Sequence, residues 1–228
     1  LAAVDGFQLG RKSDTDLLGV SLSSHDLLGH RVGPNGDQIE EMTLSEDREL
    51  SRFFSALNKK IPGGLANVAI VLTADHGIAP SNTYLSKTKI SNGRVDNLDL
   101  VTKIETALVA KFGKPKAEKW VAGFKSMNVY LNREVIEDKK LQPSVVEYEV
   151  KKRILEEPAF TSAFTRSEFE AGQLPSAYAR QIRNSFSERS GDVIAILKPF
   201  YMEIGAPVTH MTGYSYDRTV PIVFYGKR

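Results

Sequence analysis

Short apolar runs that stop abruptly at polar residues mark three places in this chain. Residues 16–24, DLLGVSLSS, carry Val and Leu and end in small polar residues, which predicts a buried parallel strand. Asn67 to Thr73 reads as a second strand, and VPIVFYG at residues 220–226 as a third. Between the first two, after the turn signal Gly33-Pro34-Asn35-Gly36, residues Leu50, Phe53, Phe54, Leu57 and Ile61 recur at helical spacing until Pro62-Gly63-Gly64 ends the pattern. The order strand, helix, strand suits a parallel sheet, so the pattern predicts an α/β fold with a mostly parallel sheet flanked by helices.

From Ser81 to about Phe200 the texture changes. Val101, Ile104, Leu108 and Phe112 mark a helix closed by Gly113, and SMNVYL at residues 126–131 predicts a strand. Ser144 and Glu147 have capping-box spacing ahead of a helix through Ile154 and Leu155, with Pro158 beyond its end. A further helix is expected from Ala177 to Phe186, then a strand at DVIAIL, residues 192–197. This stretch carries no His, and it reads as an inserted α+β lobe at residues 81–200, set into a core made of residues 1–80 and 201–228. Neither an internal repeat nor a low-complexity tract interrupts the chain.

A length of 228 residues suits one α/β domain, or a main domain carrying a smaller one. Hydrophobic content of 41% and charged content of 25% are those of a globular protein. The net charge of +2 comes without a polybasic block, so neither a nucleic acid polymer nor a membrane surface is expected as a partner. No apolar run approaches the roughly 18 residues of a spanning helix. The opening LAAVDGFQLG lacks the basic start and long apolar centre of a signal peptide. Zero cysteines excludes disulfides and thiolate zinc sites, so any metal must rely on His, Asp or Glu; it does not fix a compartment.

The four histidines, His25, His30, His76 and His210, all lie beside predicted strands of the core. If Asp26 begins a helical turn, it shares a face with His30 four residues on, and the two can grip one ion; the plainer alternative is an N-cap and a surface His. Asp75 and His76 are adjacent, and neighbouring side chains diverge unless the backbone turns sharply, so a turn is expected at Gly77. Here the alternative is a capping Asp75, a surface His76 and an ordinary turn. Carboxylate with imidazole suits zinc, and manganese or iron also accept such ligands. Two pairs plus His210 imply two neighbouring ions.

SLSSHDLLGHRVGP, VLTADHGIAP and THMTGYSYDRTVPIVFYG resemble three metal-site motifs of the alkaline phosphatase superfamily. The resemblance is to the type I phosphodiesterase/nucleotide pyrophosphatase branch and its related bacterial alkaline phosphatases. It runs essentially end to end, and RSGD at residues 189–192 is also similar to that branch. It implies an alkaline-phosphatase-like sheet, incomplete here, and a zinc-dependent hydrolase of phosphate monoesters or diesters acting on a small substrate in the periplasm or outside the cell. By the same resemblance Asp26, His30 and His210 hold one zinc, while Asp75 and His76 form half of the set around a second.

The chain departs from that pattern in lacking the family's N-terminal Asp and its Thr or Ser nucleophile. VDGF at residues 4–7 is similar to the first Asp-Gly motif, but no Thr-Pro segment follows it, so LAAVDGFQLGRKSDTD reads as a helix and turn leading into the first strand. Ser23, Ser24 and Thr73 match no nucleophile position. The expectation is a C-terminal portion without a catalytic nucleophile, inactive alone and prone to self-association through the surface the other half would cover. His25 is expected in rim packing or behind the ligands, Asp217 as a turn cap or a partner orienting His210, Tyr214 and Tyr216 in packing, and Arg189 and Lys198 as solvated cations. Two alternatives stand beside this reading: a sulfatase or phosphonate hydrolase of the same superfamily, and a non-catalytic metal-binding or interaction domain.

Overall fold

The structure is a computed structural model that describes residues 1–116, 118–205 and 207–226, and within α9 (below) the side chains of Tyr178, Arg180, Gln181 and Ser185 are left undescribed. Helices α1 (Ala2–Gly6), α2 (Ser23–Val32) and α3 (Asp37–Lys60) precede strand β1 (Ile70–Thr73). There follow α4 (Asn82–Lys87), β2 (Gly93–Val95), α5 (Asn97–Phe112), β3 (Val121–Lys125), β4 (Asn128–Leu131), α6 (Arg133–Asp138) and α7 (Pro143–Glu156). The chain ends with β5 (Phe160–Thr165), α8 (Arg166–Glu170), α9 (Ser176–Ser185), β6 (Val193–Leu197), β7 (Tyr201–Glu203), α10 (Ser215–Arg218) and β8 (Ile222–Tyr225). It divides into two compact units: one of Leu1–Tyr84, Pro207–His210 and Ser215–Arg228, the other of Leu85–Ala206 and Met211–Tyr214.

In the first unit α3 forms where the apolar spacing predicts it. Leu57 and the neighbouring Ile61 are buried with Val4, and Phe53, Phe54, Leu65 and Val68 pack around them. Acidic Asp37 and Glu40 at its start and Lys59 and Lys60 at its end complement the helix dipole. The Ile61 amide closes the last turn on Leu57 O, and Pro62, which cannot extend the ladder, follows. Helix α2 stops at Gly33, whose φ of 76° lies in the region that glycine occupies without strain.

Two expectations for this unit are corrected. Residues 16–22 form no strand, and Ser23 and Ser24 open α2 instead of ending a strand. The run is apolar as read, but Leu17 is 96% exposed, and without a neighbouring strand to take its main-chain groups an extended segment builds no ladder. Strands β1 and β8 do share a sheet, yet they pair antiparallel, Ile70 opposite Tyr225 and Thr73 opposite Ile222. The strand–helix–strand order that suggested parallel pairing relates a strand to the next one along the chain; β1 and β8 are separated by residues 74–221, which leaves their relative direction open.

The second unit is built on a four-stranded antiparallel sheet in the order β3-β4-β6-β5, with α5 and α7 packed on it. Among the described residues the one parallel pairing is the short β2 with β7. Trp120, fully buried, sits in a core with Ile104, Leu108, Val129, Val150, Ile154 and Val193, and its indole donates to Gly113 O at 3.1 Å. Ser126 and Met127, both at positive φ, make the tight turn of the β3–β4 hairpin. Asp96 caps α5 by accepting from the Leu98 and Asp99 amides.

Ser144 does not cap α7. That helix starts two residues earlier than a Ser144 cap would place it, with Pro143 in its first turn and Gln142 as an N-cap that makes no side-chain bond. Glu147 is buried and turns to another helix, accepting from the Ser167 amide at 3.0 Å. The capping box that does form joins Thr165 and Glu168 at the start of α8. Buried Glu149 accepts from Lys111 at 2.7 Å and Arg153 at 3.0 Å, and the bond from Lys111 foremost holds its carboxyl below the ordinary range.

The RSGD segment, which resembles a family signature, is a packing device in this unit. Gly191 passes so close to β4 that a Cβ would lie 2.7 Å from Val129 O, while Asp192 is buried, pairs with Arg133 and accepts from the Leu131 amide at 2.7 Å.

Candidate metal centre

Residues far apart in the chain meet at α2. His30, in the last turn, engages Val208 twice: its Nδ1 lies 2.9 Å from Val208 O, and the Val208 amide donates to His30 O at 3.1 Å. Val208 itself is fully buried, so this docking is fixed by packing as well as hydrogen bonds. Two residues on, His210 is carried to within 5.2 Å of the His30 ring, centroid to centroid. Asp26 occupies the first turn of α2, on the same face, with Oδ1 at 3.6 Å from His30 Nε2.

The third contribution comes from the loop after β1. His76 Nε2 lies 3.8 Å from Asp26 Oδ1 and 3.7 Å from Asp75 Oδ2, and the His76 ring stacks on that of His210 at 3.4 Å with an 18° tilt. His76 Nδ1 lies 2.9 Å from Gly77 O. Asp26, His76 and His210 thus each offer a ligand atom within 4.8 Å of the others, with His30 beside them, all within the first unit.

The tautomers follow from the partners. A carbonyl oxygen only accepts, so Nδ1 of His30 and of His76 must carry a proton, and in the neutral ring this makes Nε2, the nitrogen beside the Asp26 carboxylate, the one free to bind a metal. Holding the far ring nitrogen on a carbonyl is how a metal-binding imidazole is oriented and made more basic. Burial, with the neighbouring His76 and His30, holds the His210 imidazole below its ordinary pKa of 6.5, against the opposing pull of Asp217 and Asp26. Neutral imidazoles beside a carboxylate fit a divalent cation that takes nitrogen and oxygen ligands.

Asp75, expected among the ligands, has an exposed carboxylate that reaches both the His76 amide, at 3.1 Å, and the His76 ring. His25 faces away toward α3, where its Nδ1 lies 2.6 Å from Glu46 Oε2. Two of the hydroxyls near the motifs have other partners: Ser23 with Ser21, Thr73 with Ala74 O.

Gly77 is needed for a different reason from the one the sequence suggests. Its backbone is not left-handed; instead, a Cβ there would lie 2.1 Å from Tyr216 O. Its amide donates to Asp217 O at 2.8 Å, so the loop rests on α10 main chain. Asp217 is buried. Sequence spacing gives no signal of this contact, nor of the His76–His210 stack, because both join residues far apart in the chain.

Known proteins similar to this chain include several alkaline phosphatases. The chain is 33% identical over 228 residues to the alkaline phosphatase PafA of Elizabethkingia meningoseptica, a match covering 99% of the chain and 41% of that protein. To the alkaline phosphatase PhoK of Sphingomonas sp it is 31% identical over 242 residues. A crystal structure of wild-type PafA superposes with a TM-score of 0.88 at 32% identity, over 98% of this chain and 42% of that one. The chain therefore spans about two fifths of the length of these relatives. The profile of the type I phosphodiesterase / nucleotide pyrophosphatase family matches residues 2–208, nearly the whole chain, and the chain therefore belongs to that family.

Proposed function

We propose that this chain carries the metal-binding side of a zinc-dependent phosphate-ester hydrolase, acting on small phosphomonoesters or phosphodiesters. The observation that carries the reading is the pinning of His30 and His76 by main-chain carbonyls, which leaves both Nε2 atoms facing Asp26 beside His210. In this reading Asp26, His30 and His210 hold one zinc, and Asp75 and His76 contribute to a second. Bound zinc would supply charge stabilisation for the oxygens of an in-line phosphoryl displacement. The residues present bind and orient; the hydroxyl nucleophile is expected outside these 228 residues.

Zinc content by metal analysis and affinity by calorimetry, on the wild type and on His210→Ala, test the assignment. Affinity is expected to fall more than about tenfold in the variant. Equal content and affinity in both would exclude His210 as a ligand. The zinc-loaded chain alone is expected to hydrolyse p-nitrophenyl phosphate at background, since loss of a nucleophile costs about three orders of magnitude or more. Turnover at an enzyme-like rate, abolished by His76→Ala, would mean that a hydroxyl within these 228 residues is the nucleophile.

A further inference from the structure

We propose that Gly77 is a positioning residue of the metal centre: by having no side chain, it lets the loop after β1 close against α10 and thereby sets the His76 imidazole against His210. The proposal rests on the metal-binding reading above and concerns how one ligand is held. Three contacts converge on this residue. Its amide donates to Asp217 O at 2.8 Å, its carbonyl accepts the Nδ1 proton of His76 at 2.9 Å, and its Cα faces Tyr216 so closely that a Cβ would lie 2.1 Å from Tyr216 O and 3.1 Å from Tyr216 C.

The obstacle is main chain, not the end of a flexible side chain, so a methyl group can be accommodated only by moving the loop away from α10. Moving the loop displaces the carbonyl that fixes the His76 tautomer, and the ring whose face lies 3.4 Å from His210. A metal-binding imidazole is oriented by the hydrogen bond at its far nitrogen, so losing that bond loosens the ring. Gly77 thus acts through His76 and touches no ion itself.

The test compares the 228-residue chain with Gly77→Ala, His76→Ala and the double variant, using Co²⁺ as a spectroscopic probe. Gly77→Ala is expected to weaken Co²⁺ binding by about 10- to 100-fold and to alter the visible absorption of the bound ion, while circular dichroism is unchanged. In the His76→Ala background the same substitution should cause no further loss, because the ligand it acts through is gone. Additive losses would overturn the proposal, as would a Gly77→Ala chain that binds Co²⁺ like the wild type.

A second measurement needs neither metal nor variant. In the metal-free wild type, imidazole ¹⁵N shifts should show His76 protonated at Nδ1, and the Gly77 amide should be protected from exchange. A His76 protonated at Nε2, or a rapidly exchanging Gly77 amide, overturns the proposal even if Gly77→Ala fails to fold. A wild type that binds no Co²⁺ while passing this second measurement would instead sink the metal-binding reading and leave the role of Gly77 intact.

Discussion

His210 shows how a single residue ties chemistry to stability. Its imidazole is held below 6.5 mainly by burial, so the folded chain prefers it neutral while the unfolded chain protonates it normally. The unfolded state therefore binds more protons as pH falls below about 6.5, and the metal-free fold loses stability there until the depressed folded value is also passed. Urea unfolding of the first unit between pH 7 and pH 5 should show this loss, and His210→Ala should flatten it; an unchanged slope would mean that the ring is not buried in the apo fold. The sequence made Asp26 and His30 legible as a pair because helical spacing alone puts them on one face. It could not reveal that His76 leans toward Asp26 as well as Asp75, since that proximity exists only once β1 and α2 are placed.

At the scale of elements, local signals were read where they were self-sufficient. The amphipathic stripe of α3, the Gly113 stop of α5 and the short, β-branched apolar run of β6 were each legible locally. Misreadings arose where a partner decides. DLLGVSLSS has strand composition and no strand neighbour, and Ser144-Glu147 has capping-box spacing while Pro143 starts the helix earlier. That contrast can be measured. Thr165→Ala, which removes a formed box, should cost about 1 kcal/mol of second-unit stability. Ser144→Ala should stay within about 0.5 kcal/mol, as exposed substitutions usually do. A larger loss at Ser144 than at Thr165 in denaturant titrations would contradict the cap assignments.

Over the whole molecule, the apolar surface is unevenly covered. The β1–β8 ribbon exposes Val71 at 57%, Ile222 at 61% and Phe224 at 75%, and Leu17 and Val20 are exposed on the same unit. A two-stranded ribbon with open edges is marginal by itself and pairs readily with further strands. Self-association is therefore expected in sedimentation velocity at high protein concentration, and Val71→Lys with Phe224→Lys should reduce it while leaving the melting of the second unit unchanged. A monomeric wild type would show that this ribbon is protected. Among the described residues no helix is long and apolar enough to cross a membrane.

The reciprocal bonds between His30 and Val208 also have a kinetic consequence. They join positions 178 residues apart, and closing so large a loop is entropically slow compared with the local contacts that build helices and hairpins. The single tryptophan, Trp120, lies in the core of the second unit and reports its collapse, whereas zinc uptake, on the metal-binding reading proposed above, would report the docking of Val208 on α2. In stopped-flow refolding, chelator-detected zinc capture is therefore expected to lag the tryptophan signal. Simultaneous phases would indicate that this docking comes as early as the second unit forms.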